Sequence, residues 1–129
     1  MGTMLQDADL TLDDFIGLEG CNEILNDTRP DVLRHIHFAY LEAGADAIET
    51  NTFGCNLPNL ADYDIEHRIR ELAEKGTQLA REACDEMGPS EDGIPRFVLG
   101  SIGLERSFPL WGTRLSQRCV MPTRNAPWE

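Results

Sequence analysis

Long apolar runs are missing from this chain of 129 residues, the longest being only a few residues. The roughly 20 consecutive apolar residues needed to cross a bilayer are nowhere present, and no basic leader with an apolar core opens the chain. Membrane insertion and secretion are therefore not expected. Basic residues are scarce, with 11 Lys plus Arg against 23 Asp plus Glu and a net charge of −12. Such a surface repels phosphate backbones and anionic lipid at long range, which excludes nucleic acid and membrane as expected partners. The four cysteines, Cys21, Cys55, Cys84 and Cys119, include no C-x-x-C pair and no Cys/His group at metal-ligand spacing. They read as small buried residues of a reduced, cytoplasmic chain. With 41% hydrophobic and 26% charged residues, what remains is one modest core of a globular protein.

The charge divides the chain. Residues 1–103 carry 7 basic and 21 acidic residues, and residues 104–129 carry 4 and 2. The second stretch holds both tryptophans and three prolines, with neither helical nor strand periodicity.

Within 1–103, Leu10–Phe15 suggests a short helical turn. Thr28 with Asp31 three residues on resembles a capping box, with Pro30 in the first turn. Val32, Leu33, Ile36, Ala39, Tyr40 and Ala43 then follow at helical spacing up to Gly44. The period changes over Ala45–Phe53, as in a short strand reached through a tight turn. A second helix is expected from Asp64 as N-cap, with Ile65, Ile69, Leu72, Leu79, Ala80, Ala83 and Met87 on one face and Gly88 after its end. Gly76 inside it costs about 1 kcal/mol relative to Ala, which implies close packing there. Phe97–Gly103 suits a buried parallel strand. Helix, strand, helix, strand is α/β architecture, open sheet or barrel.

In parallel α/β proteins, ligands sit at the C-terminal ends of strands, which places a site at Glu49, Thr50, Asn51 and Thr52, then Ser101 and Gly103. Residues two apart on a strand share a face. Glu49 could thus accept from an ammonium group while Asn51 donates to a carboxylate, a pair suited to an amino acid; alternatively both satisfy loop backbone groups. His35 and His37, two apart on a helix, point to different faces and cannot share a metal ion. His67 and the acidic pairs Asp13-Asp14 and Glu91-Asp92 read as solvated surface.

The strings MGTMLQ, GCNEIL, RPDVLRHIHFAYLEAGADAIETNTFG, LADYDIEHRIRELA and VLGSIG closely resemble the N-terminal homocysteine-binding domain of cobalamin-dependent methionine synthases. The resemblance covers nearly all of 1–103. It implies the first βα units of a (β/α)8 TIM barrel, homocysteine as substrate, and a zinc ion held by three cysteine thiolates of later strands. The resemblance further implies that zinc would favour the thiolate form of homocysteine for attack on the methyl group of methylcobalamin, which methyltetrahydrofolate would serve through other domains. It also implies substrate-pocket roles for Gly2 and Thr3 in a first-strand loop, Glu49, Asn51 and Thr52 at the second strand end, and Ser101 at the third. No residue here matches a catalytic nucleophile or a zinc ligand of that family.

The resemblance departs at both ends. The family motif DGAMGT is met here only from MGT, so the first barrel strand is expected to be missing. After Gly103 the family continues with PGTKLP or similar, whereas this chain reads LERSFPLW. Residues 104–129 can be back-translated into legal codons that, with one C prefixed, read PGTKLPTLGHAPFATLRDAYQERALG. The tail is therefore expected to be out of frame and disordered, and 1–103 to be the start of a barrel too short to close, inactive by itself and without zinc or cobalamin of its own. Two other readings stand beside this one: a non-catalytic homocysteine-binding module, or another branch of homocysteine S-methyltransferases.

Overall fold

The computed structural model describes residues 1–103. The tail, with its expected disorder and frame change, and Cys119 lie outside the described residues.

The order is α1 (Gly2–Asp7), a 3-10 turn at Leu12–Phe15, another at Asn22–Ile24 leading into α2 (Leu25–Thr28), then α3 (Pro30–Glu42), β1 (Ala47–Glu49) and α4 (Leu57–Ala61). A 3-10 turn at Glu66–Arg68 opens α5 (Ile69–Met87), and β2 (Phe97–Leu99) follows. The strands pair in parallel, Ala47 opposite Phe97 and Glu49 opposite Leu99, so β1, α5 and β2 form a βαβ unit.

Pro30 pre-sets the first turn of α3, and Arg29 before it is held out of the helical region at φ −135°, ψ 57°. At the other end Gly44 takes φ +95°, its N–H bonds Leu41 O, and Ala45 N–H bonds Tyr40 O. This pair of bonds closes the helix and turns the chain directly into β1. Gly88 ends α5 at φ +74°. Arg96 ties both helix ends together, donating from Nη1 to Leu41 O and Ala45 O and from Nε to Gly88 O.

The core has two parts. Leu33, Ile36, Leu72 and Leu79 of α3 and α5 pack with Ile24, Leu25 and Leu60, while Leu41, Ile48, Ala80 and Ala83 join the sheet to the same helices. On the surface, Asp27 of α2 receives Lys75 of α5 and Arg68 of the 3-10 turn before it, which hold its carboxyl below the usual aspartate range.

The mixed helix and parallel sheet are as the sequence implies, with these corrections. Thr28 is not the N-cap of α3: it ends α2, and its hydroxyl donates to Asp14 O at 2.6 Å. The capping box lies at Thr11 and Asp14 instead. The buried stripe of α3 is Leu33, Ile36, His37 and Leu41, with Tyr40 and Ala43 outward, because the helix is wedged between α5 and β1. Asp64 turns left-handed at φ +58° and does not cap α5, which starts at Ile69. The first strand spans three residues, since after the Thr50 N–H bond to Leu99 O the hydroxyls of Thr50 and Thr52 take up the backbone groups of Ser101. Phe97 and Leu99 are exposed rather than buried, β2 having β1 as its neighbour on one edge among the described residues.

Candidate functional site

Past the last paired residues, β1 and β2 are held together by hydroxyls. Thr50 N–H still reaches Leu99 O at 2.9 Å. Thr50 Oγ1 then accepts from Ser101 N–H at 3.0 Å, and Thr52 Oγ1 donates to Ser101 O at 2.7 Å. The two threonine hydroxyls lie 2.7 Å apart. A hydroxyl has one hydrogen, and that of Thr52 is used on Ser101, so Thr50 donates to Thr52. Gly103 N–H closes the run on Phe53 O, where a Cβ at Gly103 would stand 2.3 Å from that oxygen. This circuit fixes the backbone of Ser101, whose hydroxyl donates to Glu49 Oε1 at 2.5 Å. The side chain of Glu49 is otherwise exposed.

Asn51 takes a different direction. It is buried, and Nδ2 donates both hydrogens, to Asn22 O at 2.8 Å and to Asn26 Oδ1 at 3.0 Å. Asn26 Nδ2 in turn donates to Asn51 O and Leu72 O, each at 2.9 Å. Glu49 and Asn51 do not share a face as strand spacing implied: the chain leaves strand geometry after Glu49, and the amide of Asn51 turns to Asn22 of the 3-10 turn and Asn26 of α2, as in the alternative reading in which it satisfies nearby groups. Gly2 and Thr3 stand in the first turn of α1, exposed, and not in a strand loop. Met1 beside them lines a cavity of about 220 Å3 together with His37, Tyr40, Ala47, Ile48, Glu49 and Leu99. Thus the structure brings together Glu49, Thr52 and Ser101, sets Asn51 beneath them as a brace, and leaves Gly2 and Thr3 apart.

Three residues that sequence reasoning passed over hold this arrangement: Asn22, Asn26 and Glu23. Glu23 is buried, with Oε1 accepting from Gly54 N–H at 2.8 Å and Oε2 within 3.9 Å of Cys21 Sγ. The signal was present in GCNEILND, where Glu23 and Asn26 are three apart and so share a helical face beside Ile24 and Leu25.

Burial raises the thiols of Cys21 and Cys84 and pushes Cys55 up to about 12, with Glu23 adding to the effect on Cys55. His35 is exposed and His37 buried, so the two do point apart. His37 Nε2 has no hydrogen-bond partner, and burial lowers its imidazole to about 4. Among the described residues no three of His, Cys, Asp and Glu converge, and no helix is long and apolar enough to cross a membrane.

A parallel βαβ unit with polar groups gathered at its C-terminal strand ends is the arrangement by which α/β proteins hold small ligands. The chain belongs to the homocysteine S-methyltransferase family, whose model matches residues 1–109. It is 65% identical over 112 residues to methionine synthase of Mycobacterium tuberculosis and 62% identical over the same length to that of Mycobacterium leprae. Each match covers 87% of this chain and 9% of the relative, so the chain spans a small part of the length of the proteins it matches.

Proposed function

We propose that this chain is the N-terminal part of the homocysteine-binding (β/α)8 barrel of a methionine synthase, and that Glu49, Thr52 and Ser101 take the ammonium end of homocysteine. The Ser101–Glu49 hydrogen bond carries the reading. It holds a carboxylate at the strand end with Oε2 left for a ligand. Hydrogen accounting gives the polarity: the Thr52 proton goes to Ser101 O and the Ser101 proton to Glu49, so the cluster offers lone pairs outward. An acceptor-rich site suits an ammonium group and repels a carboxylate. Asn51 acts here by bracing the end of β1 through Asn22 and Asn26, while Gly2 and Thr3 stand exposed on α1, apart from this cluster.

The zinc that the family resemblance implies does not fit the described residues, among which no three of His, Cys, Asp and Glu are placed to hold a metal ion together. Zinc, cobalamin and methyltetrahydrofolate belong, in this proposal, to other parts of a full-length enzyme. Three free thiols accord with a reducing, cytoplasmic location.

Calorimetric titration of the full chain with homocysteine and with 4-mercaptobutanoate, which lacks the amino group, tests the reading. Loss of a charge-assisted bond predicts at least about tenfold weaker binding of the second compound. Equal affinities, or no binding of homocysteine, would overturn it.

A further inference from the structure

We infer that Thr50 is a positioning residue for the ammonium site, acting through Ser101 on Glu49; this rests on the reading that the cluster binds homocysteine. Thr50 is 1% exposed, so it touches no ligand itself. Its hydroxyl nevertheless serves two bonds at once, accepting from Ser101 N–H and donating to Thr52 Oγ1. The strands stop pairing by backbone at Leu99, and two residues further on the hydroxyl of Thr50 stands in for the missing carbonyl. Thr52 completes the clasp from the other side by donating to Ser101 O.

Ser101 is thereby held at both its N–H and its C=O, and only then does its hydroxyl meet Glu49 at 2.5 Å. Without the Thr50 hydroxyl, Ser101 N–H is left buried and unpaired, and Thr52 loses the donor that fixes its rotamer. Ser101 would turn toward solvent to satisfy its amide. Glu49, an exposed side chain with Ser101 as its hydrogen-bond partner, would then sample several rotamers, and the ligand would have to order it on binding. A serine at position 50 keeps the hydroxyl and loses a methyl group. A valine keeps the shape and loses the hydroxyl.

The test compares Thr50→Val and Thr50→Ser in the full chain by two readouts: the amide proton shift and exchange rate of Ser101 by NMR, and homocysteine affinity by calorimetry. The expected result is a Ser101 amide that shifts and exchanges faster in Thr50→Val, with affinity about tenfold weaker, and recovery of both in Thr50→Ser. A displaced Ser101 amide with unchanged affinity overturns the positioning role and leaves the proposed function standing. Failure of Thr50→Ser to restore affinity overturns it as well, since packing of the methyl group would then be the cause. Wild-type chain that binds no homocysteine overturns the proposed function and this inference with it. Should Thr50→Val fail to fold, Thr50→Ala removes the same hydroxyl from Ser101 N–H without adding bulk, and unchanged affinity there is equally decisive.

Discussion

Ser101 Oγ donates to Glu49 Oε1 across 2.5 Å, joining residues 52 apart in the chain at the ends of two parallel strands. The bond orients a carboxylate that the backbone by itself leaves free to rotate. Replacing Ser101 by Ala removes the bond while keeping the backbone clasp from Thr50 and Thr52. Homocysteine binding is expected to weaken by about tenfold or more, with folding stability changed by about 1 kcal/mol or less. Calorimetric affinity beside a urea denaturation curve checks this, and unchanged affinity would speak against Glu49 as the ammonium partner.

Gly76 sits in the middle of α5, where helix propensity alone says that Ala should stabilise by about 1 kcal/mol. The site says otherwise. A Cβ there would lie 2.6 Å from Asn26 Nδ2 and 3.0 Å from Thr52 Cγ2. Overpacking of this kind costs about 1–3 kcal/mol, and Asn26 cannot swing away without breaking its bonds to Asn51 O and Leu72 O. Gly76→Ala is therefore expected to lower the midpoint of chemical denaturation, and a raised midpoint would contradict the packing described.

His37 makes stability depend on pH. Burial first, and the N-terminal ammonium second, lower its imidazole from 6.5 to about 4. The unfolded chain then binds a proton that the folded chain refuses between about pH 6.5 and 4, so stability is complete above that window and falls as pH falls through it. The expected loss at pH 5 is about 2 kcal/mol. His37→Leu should flatten the dependence in this range, whereas Asp14, Asp27 and Asp31, held low by their partners, lose their contributions only at more acidic pH. Urea denaturation of both proteins at pH 7 and 5 separates them, and parallel losses would show that His37 is not the titrating group.

Phe97, Leu99 and Ile102 expose more than half of their surface along β2 and just beyond it, and Phe53 does so at the end of β1. An apolar rim of this kind is expected to bind an environment-sensitive dye and to draw chains together with rising concentration. Sedimentation velocity across a hundredfold concentration range reads this directly. A single monomeric species throughout would mean that the rim is covered.

Much of the architecture is written locally. Pro30 and Gly44 set the bounds of α3, Gly88 ends α5, and the switch from helical spacing to β-branched residues at Ile48 marks the strand, because each of these is a property of a residue and its near neighbours. The strand-end location of Glu49, Thr52 and Ser101 followed from the same local order. What the local pattern could not settle was where a polar side chain finds its partner. Asn51 looked like a ligand donor beside Glu49, yet Asn22 and Asn26, 29 and 25 residues away, take both of its amide hydrogens. Thr28 looked like a cap until Asp14 O accepted its hydroxyl. Tyr40 belonged to the helical stripe by spacing, but the wedge between α5 and β1 turns Leu41 inward in its place. Sequence periodicity reports which residues avoid water, a one-body property. The assignment of hydrogen-bond partners is a many-body property, decided only when the packing of α2 and α5 around the end of β1 brings distant donors and acceptors within 3 Å.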